Sequence, residues 1–326
     1  MKRLISLIVA LIFLFVSPMA HLSSAESVER SVNETSGRVI VKMQSFQGIT
    51  RLLKAGATVL AEKEKLVSLK KPVNQSMSAF LKELEKRPGV LYAEPDYKLT
   101  RSVIPNDVKY REQWHHQTIQ SERAWDVTMG SNQTIVAIID DGMDMKHPDL
   151  KNNIVKPYNV LTKNAKIPVG EHGTHVGGII AASANNRIGG SGVAPGVKVM
   201  PVNVFEDDVA YISEIIQGIE YAVKNGADIL NMSLGMEFYS RALNEAVQAA
   251  HKKGTVIVAA AGNTGSYMIN YPAGYQNVIS VGATTQYDVM ARYSNYGKTV
   301  DILAPGTDVL STLPNGKYGA YSGTSM

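Results

Sequence analysis

Three patterns predict an α/β protein, with a mostly parallel sheet carrying helices on both faces, preceded by a smaller α+β segment. From residue 134 onward, apolar β-branched runs alternate with stretches of helical periodicity. Those runs are apolar on successive residues, as strands buried on both faces require. Strand and helix in alternation give a sheet layered between helices. In such sheets ligands bind beyond the carboxyl ends of the strands, and Asp140 closes one run while Asn263 follows another.

The chain opens on Lys2-Arg3, an uncharged run over residues 4–16 and small residues ending Ser23-Ser24-Ala25. This is the pattern of a secretory signal over residues 1–25. The apolar run is shorter than the roughly 20 residues a spanning helix needs, and an uncleaved anchor is the alternative. Residues 26–36 are polar and read as a linker. Short strands are expected at 39–41, 57–60, 66–69 and 90–93. Met77, Phe80, Leu81 and Leu84 recur at helical spacing between Asn74 and Lys86, and Pro88-Gly89 stops that helix.

In the larger segment, strands are expected at 134–139, 197–204, 229–233, 255–260, 278–281 and 300–303. Ile212, Ile216, Ile219 and Val223 mark one face of a helix over 212–224, with Gly226 past its end. A second helix is expected over 241–253, capped by Ser240 and closed by Gly254. His172 lies at the start of a third, running through Ala181.

The 326 residues suffice for one large domain plus smaller parts. Apolar residues at 44% and charged ones at 19% match an ordinary globular chain, and a formal charge of +4 gives no reason to invoke nucleic acid. Cysteine is absent, which excludes disulfides, thiolate zinc sites and a cysteine nucleophile.

A serine hydroxyl is a weak nucleophile until a base takes its proton. Ser325 stands in Gly323-Thr324-Ser325-Met326, His172 in His172-Gly173-Thr174-His175, and Asp140 ahead of Asp141-Gly142. Asp, His, Ser is one of the chain orders in which a triad occurs. Singly, Asp140 also reads as a buried aspartate bonded to amides, and His172 as a core histidine. His175 follows His172 by three residues, but no HExxH frame is present, which argues against metal hydrolysis. The turn at Ser325 is not a G-x-S-x-G elbow, which excludes a lipase-type esterase.

Together these blocks, with Ala259-Ala260-Ala261-Gly262-Asn263, Ser311-Thr312-Leu313-Pro314 and 318–326, resemble the subtilisin family of serine endopeptidases. The resemblance runs from about Pro105 to Met326. It implies Ser325 as nucleophile, His172 as general base, Asp140 as its orienting acid and Asn263 as oxyanion donor beside the Ser325 N–H. It implies that protein or peptide substrates lie extended between Ser233-Leu234-Gly235 and Ala210-Tyr211-Ile212. Ala260, Ala261 and Gly262 would line the first specificity pocket, with Asn270 near its base where many members carry a smaller residue. It also implies a structural calcium site built from Asp107, Asp149 and Asn186 with the carbonyls of Ala184, Ile188 and Gly190.

Residues 38–97 resemble the family's inhibitor propeptide, a ferredoxin-like α+β domain, through 90–97. The implied organisation is a signal over 1–25, an inhibitor propeptide over 26–102 that acts intramolecularly, and a peptidase domain over 103–326. Autoprocessing is expected near Ser102–Val103. The product would be a secreted monomer, free of membrane once the signal is removed. Two departures from the family stand out. Asp141 replaces the usual Ser or Thr, and a second carboxylate there either raises the pKa of one of the pair or points to solvent. In the family the serine begins a long buried helix, so the stop at Met326 marks a C-terminally incomplete domain, expected to fold poorly and to be inactive. The competing function is an inactive product or a propeptide-bearing binding protein.

Overall fold

The computed structural model describes residues 35–45, 58–61, 63–97 and 104–326. The expected signal, the polar linker to residue 34 and the expected processing bond lie outside them. The chain divides into two compact units, Met1–Thr100 and Arg101–Met326. Among the described residues no helix is long and apolar enough to cross a membrane.

The first unit holds a four-stranded antiparallel sheet of β1 (Thr35–Met43), β2 (Thr58–Ala61), β3 (Leu66–Lys70) and β4 (Val90–Tyr97), in the order β2-β3-β1-β4. Val39, Val41 and Met43 alternate onto the buried face of β1. They meet Met77, Phe80 and Leu84 of α1 (Met77–Glu85), the apolar stripe of the expected helix. Ser76 caps α1, its Oγ accepting from Ala79 N at 3.2 Å.

The second unit is built on a seven-stranded sheet. Its strands are β5 (Ile135–Asp140), β6 (Tyr158–Asn159), β7 (Lys198–Asn203), β8 (Ile229–Met232), β9 (Val256–Ala260), β10 (Ile279–Thr284) and β11 (Ile302–Pro305). The order is β11-β10-β9-β8-β5-β7-β6 and every pairing is parallel. After β5 the chain adds strands on one side, then returns to place β8 on the other. The loops leaving β5 and β8 therefore diverge, opening a crevice between their carboxyl ends.

Both faces of the sheet are covered. Ala137 and Ile139 of β5 pack with Ile215, Ile219 and Ala222 of α5 (Ile212–Lys224), and with Leu243, Val247 and Ala250 of α6 (Arg241–Lys252). Val136 and Ile138 face the other way, into a cluster with Val176 and Ala181 of α4 (Glu171–Ala181). Each Ile, Leu or Val taken fully from water contributes about 1.5–3 kcal/mol. By the same alternation Asp140 falls on the α4 side of the sheet, the side that carries His172.

Several elements depart from the sequence expectation. α2 (Trp114–Thr118) and α3 (Ser121–Trp125) span five residues each, too short to show a period, and β6 spans two. A hairpin of β12 (Val309–Leu313) and β13 (Lys317–Tyr321) lies where no strand is predicted. Its three-residue turn, Pro314 to Gly316, holds Asn315 and Gly316 in the left-handed region at φ 63° and 70°.

Candidate active site

Asp140 ends β5 with its side chain buried, 5% exposed. His172 is the second residue of α4. Its Nδ1 lies 2.8 Å from Asp140 Oδ1 and 2.9 Å from Oδ2, so the carboxylate accepts the ring N–H with both oxygens in reach. The other nitrogen, Nε2, is thereby left as the basic one. Burial works to lower the imidazole pKa, but the bond to Asp140 and the charges of Asp140 and Asp141 outweigh it, and the pKa is raised.

Close helix-to-sheet approach makes this bond short. A Cβ on Gly173 would stand 2.2 Å from the carbonyl oxygen of Gly142, and one on Gly177 would stand 2.5 Å from Met143 Cε. Only bare α-carbons at these positions let α4 sit this near to β5 and the loop beyond it.

Ser325 and Asn263 come together on the other side of the crevice. Asn263 lies just past the end of β9, and its Oδ1 accepts from Thr324 N at 2.8 Å. Thr324 Oγ1 in turn accepts from Gly262 N at 3.1 Å. Ser325 Oγ donates to the carbonyl of Ser233, just beyond β8, at 3.3 Å. The structure thus joins Asp140 to His172 and Asn263 to the Ser325 turn, and directs the Ser325 hydroxyl to Ser233.

Tyr211 is exposed and stands at the N-cap of α5, where its backbone N–H donates to Glu214 Oε2 at 2.8 Å, with Ala210 and Ile212 half-buried beside it. Ser233 and Leu234 are half-buried and Gly235 exposed. Ala260 and Ala261 are buried. Asn270 connects the two stretches. Its Nδ2 donates to the carbonyl of Ala260 at 2.9 Å, and a Cβ on Gly235 would lie 1.9 Å from that nitrogen. The amide therefore occupies the space between the Gly235 and Ala260 backbones.

The residues expected at calcium form an oxygen-rich cluster. Asp107 accepts from Asn185 N, Asn186 N and Arg187 N at 2.7, 2.9 and 3.1 Å. Asp149 is fully buried and accepts from Asn186 Nδ2 at 2.5 Å and Tyr318 Oη at 2.9 Å. These donors are neutral, and burial raises the Asp149 pKa despite them. Ile188 donates its N–H to Asn186 Oδ1 at 3.0 Å, and a Cβ on Gly189 would lie 2.0 Å from Asp149 Oδ2. Half-buried Ala184 and buried Gly190 flank the same loop. Among the described residues no group of three or more His, Cys, Asp or Glu side chains is placed to hold a metal.

Asp141 does not point to solvent. Its Oδ2 accepts from His172 N at 3.1 Å and its Oδ1 from Gly173 N at 2.8 Å. Its pKa is raised to about 6, first by burial and then by the charge of Asp140, with the two N–H bonds opposing. The sequence contains no local signal for this contact, because the amides it holds lie 31 and 32 residues away.

The profile of the Subtilase family matches residues 131–326, and that of the Fervidolysin N-terminal prodomain matches residues 24–96. The chain is 39% identical over 298 residues to the Thermophilic serine proteinase of Bacillus sp. (strain AK1), covering 89% of this chain and 74% of that protein. It is 40% identical over 225 residues to Thermitase of Thermoactinomyces vulgaris, covering 68% and 80%. It is 34% identical over 334 residues to Subtilisin NAT of Bacillus subtilis subsp. natto, covering 100% and 85%. Among solved structures, a protease from Pseudoalteromonas arctica PAMC 21717 superposes with a TM-score of 0.63 at 32% identity, over 69% of this chain and 83% of that one. Strand order, the acid–imidazole pair and these similarities converge, and the chain belongs to the subtilase family of serine endopeptidases, with a family prodomain at its N-terminal side.

Proposed function

We propose that Asp140, His172 and Ser325 form the catalytic triad of a secreted endopeptidase made as a self-processing zymogen. The observation that carries this reading is the two-oxygen grip of Asp140 on His172 Nδ1, at 2.8 and 2.9 Å. It fixes the tautomer in which Nε2 is the base. The mechanism requires the Ser325 side chain to turn from the Ser233 carbonyl toward that nitrogen. Oγ then attacks the scissile carbonyl carbon as His172 takes the hydroxyl proton. The imidazolium returns the proton to the leaving amine, and the C–N bond breaks to give an acyl-enzyme. Water, deprotonated by His172, attacks the ester and releases the acid.

Asn263 Nδ2 and the Ser325 N–H are the proposed donors to the oxyanion, where charge develops. Substrate adds as an extended strand between Ala210-Tyr211-Ile212 and Ser233-Leu234-Gly235. Its first side chain enters between Ala260-Ala261-Gly262 and Gly235, where the Asn270 amide makes the floor polar and shallow. Residues 26–102 act as intramolecular inhibitor, cut off near Ser102–Val103, and leave a monomeric enzyme outside the cell.

Calcium is proposed at Asp107, Asp149 and Asn186 with the carbonyls of Ala184, Ile188 and Gly190. The donor set fits, since the buried Asp149 carboxylate accepts hydrogen bonds only from an amide and a phenol, and burial raises its pKa despite them. Bound calcium would offset the cost of burying that carboxylate and tie the loop to the segment around Asp107.

The test is hydrolysis of casein and of peptide anilides by the purified protein, with Ser325→Ala and His172→Ala as controls. Serine-dependent cleavage within chains, lost in both variants, supports the reading. Equal activity in Ser325→Ala overturns it.

A further inference from the structure

α4 begins without a cap of its own. Its N-cap residue is Gly170, which has no side chain to accept a hydrogen bond. The amides that a capping side chain ordinarily serves are those of the second and third helical residues. Here they are His172 and Gly173, and both donate to one carboxylate, that of Asp141. The socket is closely built. A Cβ on Gly170 would lie 2.2 Å from Asp141 Oδ1, and one on Gly173 3.0 Å from it. The carboxylate thus sits against two glycine α-carbons, at the helix end where partial positive charge gathers.

One acceptor therefore does two things. It closes the helix start, and it holds the backbone of the residue whose imidazole is the base. Asp140 and Asp141, adjacent in the chain, grip His172 by ring and by main chain. We infer that Asp141 is a positioning residue, whose charged carboxylate aligns His172 with Asp140 and whose loss both misplaces the base and makes it easier to deprotonate. The inference rests on the triad reading given above.

The titratable groups around Asp141 are Asp140 on β5, His172 and Glu171 on α4, and Tyr321 on β13, whose phenol donates to Glu171 and feels the charge of Asp141. Of these, His172 alone becomes cationic near neutrality, so its protonation responds most directly to a neighbouring negative charge. Burial sets Asp141 to change charge within the same range of pH.

The experiment uses the full chain with Ser325→Ala, which removes turnover and self-cleavage. The His172 imidazole is titrated by ¹⁵N NMR with and without Asp141→Asn. The midpoint is expected to fall by about one pH unit when the charge is removed. In the otherwise native enzyme, Asp141→Asn is expected to lower kcat about tenfold, with KM within about twofold. Asp141→Glu is expected to restore the midpoint. Asp141→Ser, small and neutral, repeats the measurement in a second background. An unmoved midpoint in a folded Asp141→Asn or Asp141→Ser protein overturns the inference, because a merely structural cap would leave it unchanged. If Ser325→Ala itself still hydrolyses peptide, the triad reading fails instead.

Discussion

Ser233 and Ser325 exchange hydrogen bonds. Ser233 Oγ donates to the carbonyl of Ser325 at 2.9 Å, and Ser325 Oγ donates to the carbonyl of Ser233 at 3.3 Å. The first bond fixes the backbone of the proposed nucleophile to the proposed substrate rail. The second parks its hydroxyl there. Ser233→Ala removes the first bond and keeps the second acceptor. A bond of this kind contributes about 1 kcal/mol. We expect kcat/KM to fall roughly fivefold, read in steady-state peptide hydrolysis. No change would mean that the nucleophile is held by the Asn263 and Thr324 contacts alone.

Asn270 fills the gap between Gly235 and Ala260 with a primary amide. Asn270→Gly deletes the amide and opens that gap. Peptides with Phe or Leu ahead of the scissile bond should gain at least about tenfold in kcat/KM over those with Ala, since each methylene newly accommodated is worth about 1–3 kcal/mol. An unaltered preference would place the specificity pocket elsewhere.

Calcium should raise Tm, and chelation should lower it. A ligand at 100 times its dissociation constant adds about 2.7 kcal/mol. In Asp149→Asn the response to calcium should be lost, as followed by calorimetry across a calcium series. Magnesium at equal concentration should do little, because it resists the irregular, many-oxygen cage.

Acid should destabilise the second unit. Burial first of all pushes His115 down to about 3, and His116 and His175 down to about 4, from an ordinary 6.5. Between pH 6.5 and 4 these rings stay neutral when folded and take up protons when unfolded, so stability falls as pH falls through that window. Asp141 acts the other way, because its folded pKa of about 6 exceeds the ordinary 3.8. The three histidines are opposed by Asp141 and by Asp149, whose pKa burial also raises, and still outnumber them. Stability is therefore expected to fall as the pH is lowered from 6.5 toward 4. His115→Phe should make that fall shallower, as measured by urea unfolding at pH 7, 6 and 5.

Much of this architecture is legible in the chain, because burial leaves a pattern. The continuous apolar run 135–139 announces a strand covered on both sides, and Ile212, Ile216 and Ile219 announce a helix face. Ser240 capping α6 follows from its residue type, and its Oγ accepts from Leu243 N at 3.2 Å. What escapes notice is short or non-local. Five residues of α2 carry no period. The β12–β13 hairpin had a signal in Asn315-Gly316, but its strands are not uniformly apolar. The proposed triad positions were readable through resemblance, as was the oxygen cluster around Asp149. The Asp141 contact was not, since the Gly170 that leaves the helix uncapped and the acid that serves it are 29 residues apart.

The crevice between β5 and β8 separates the chemistry in time as well as in space. The proposed orienting acid and base come from residues 140 and 172, while the proposed oxyanion donor and nucleophile come from 263 and 325. Synthesis proceeds from the N-terminus, so a nascent chain carries the base long before it carries anything for that base to activate. Parallel pairing across such separations is also slow to form. On the proposed assignment, a growing chain is chemically harmless to itself and to its neighbours until Ser325 has been made.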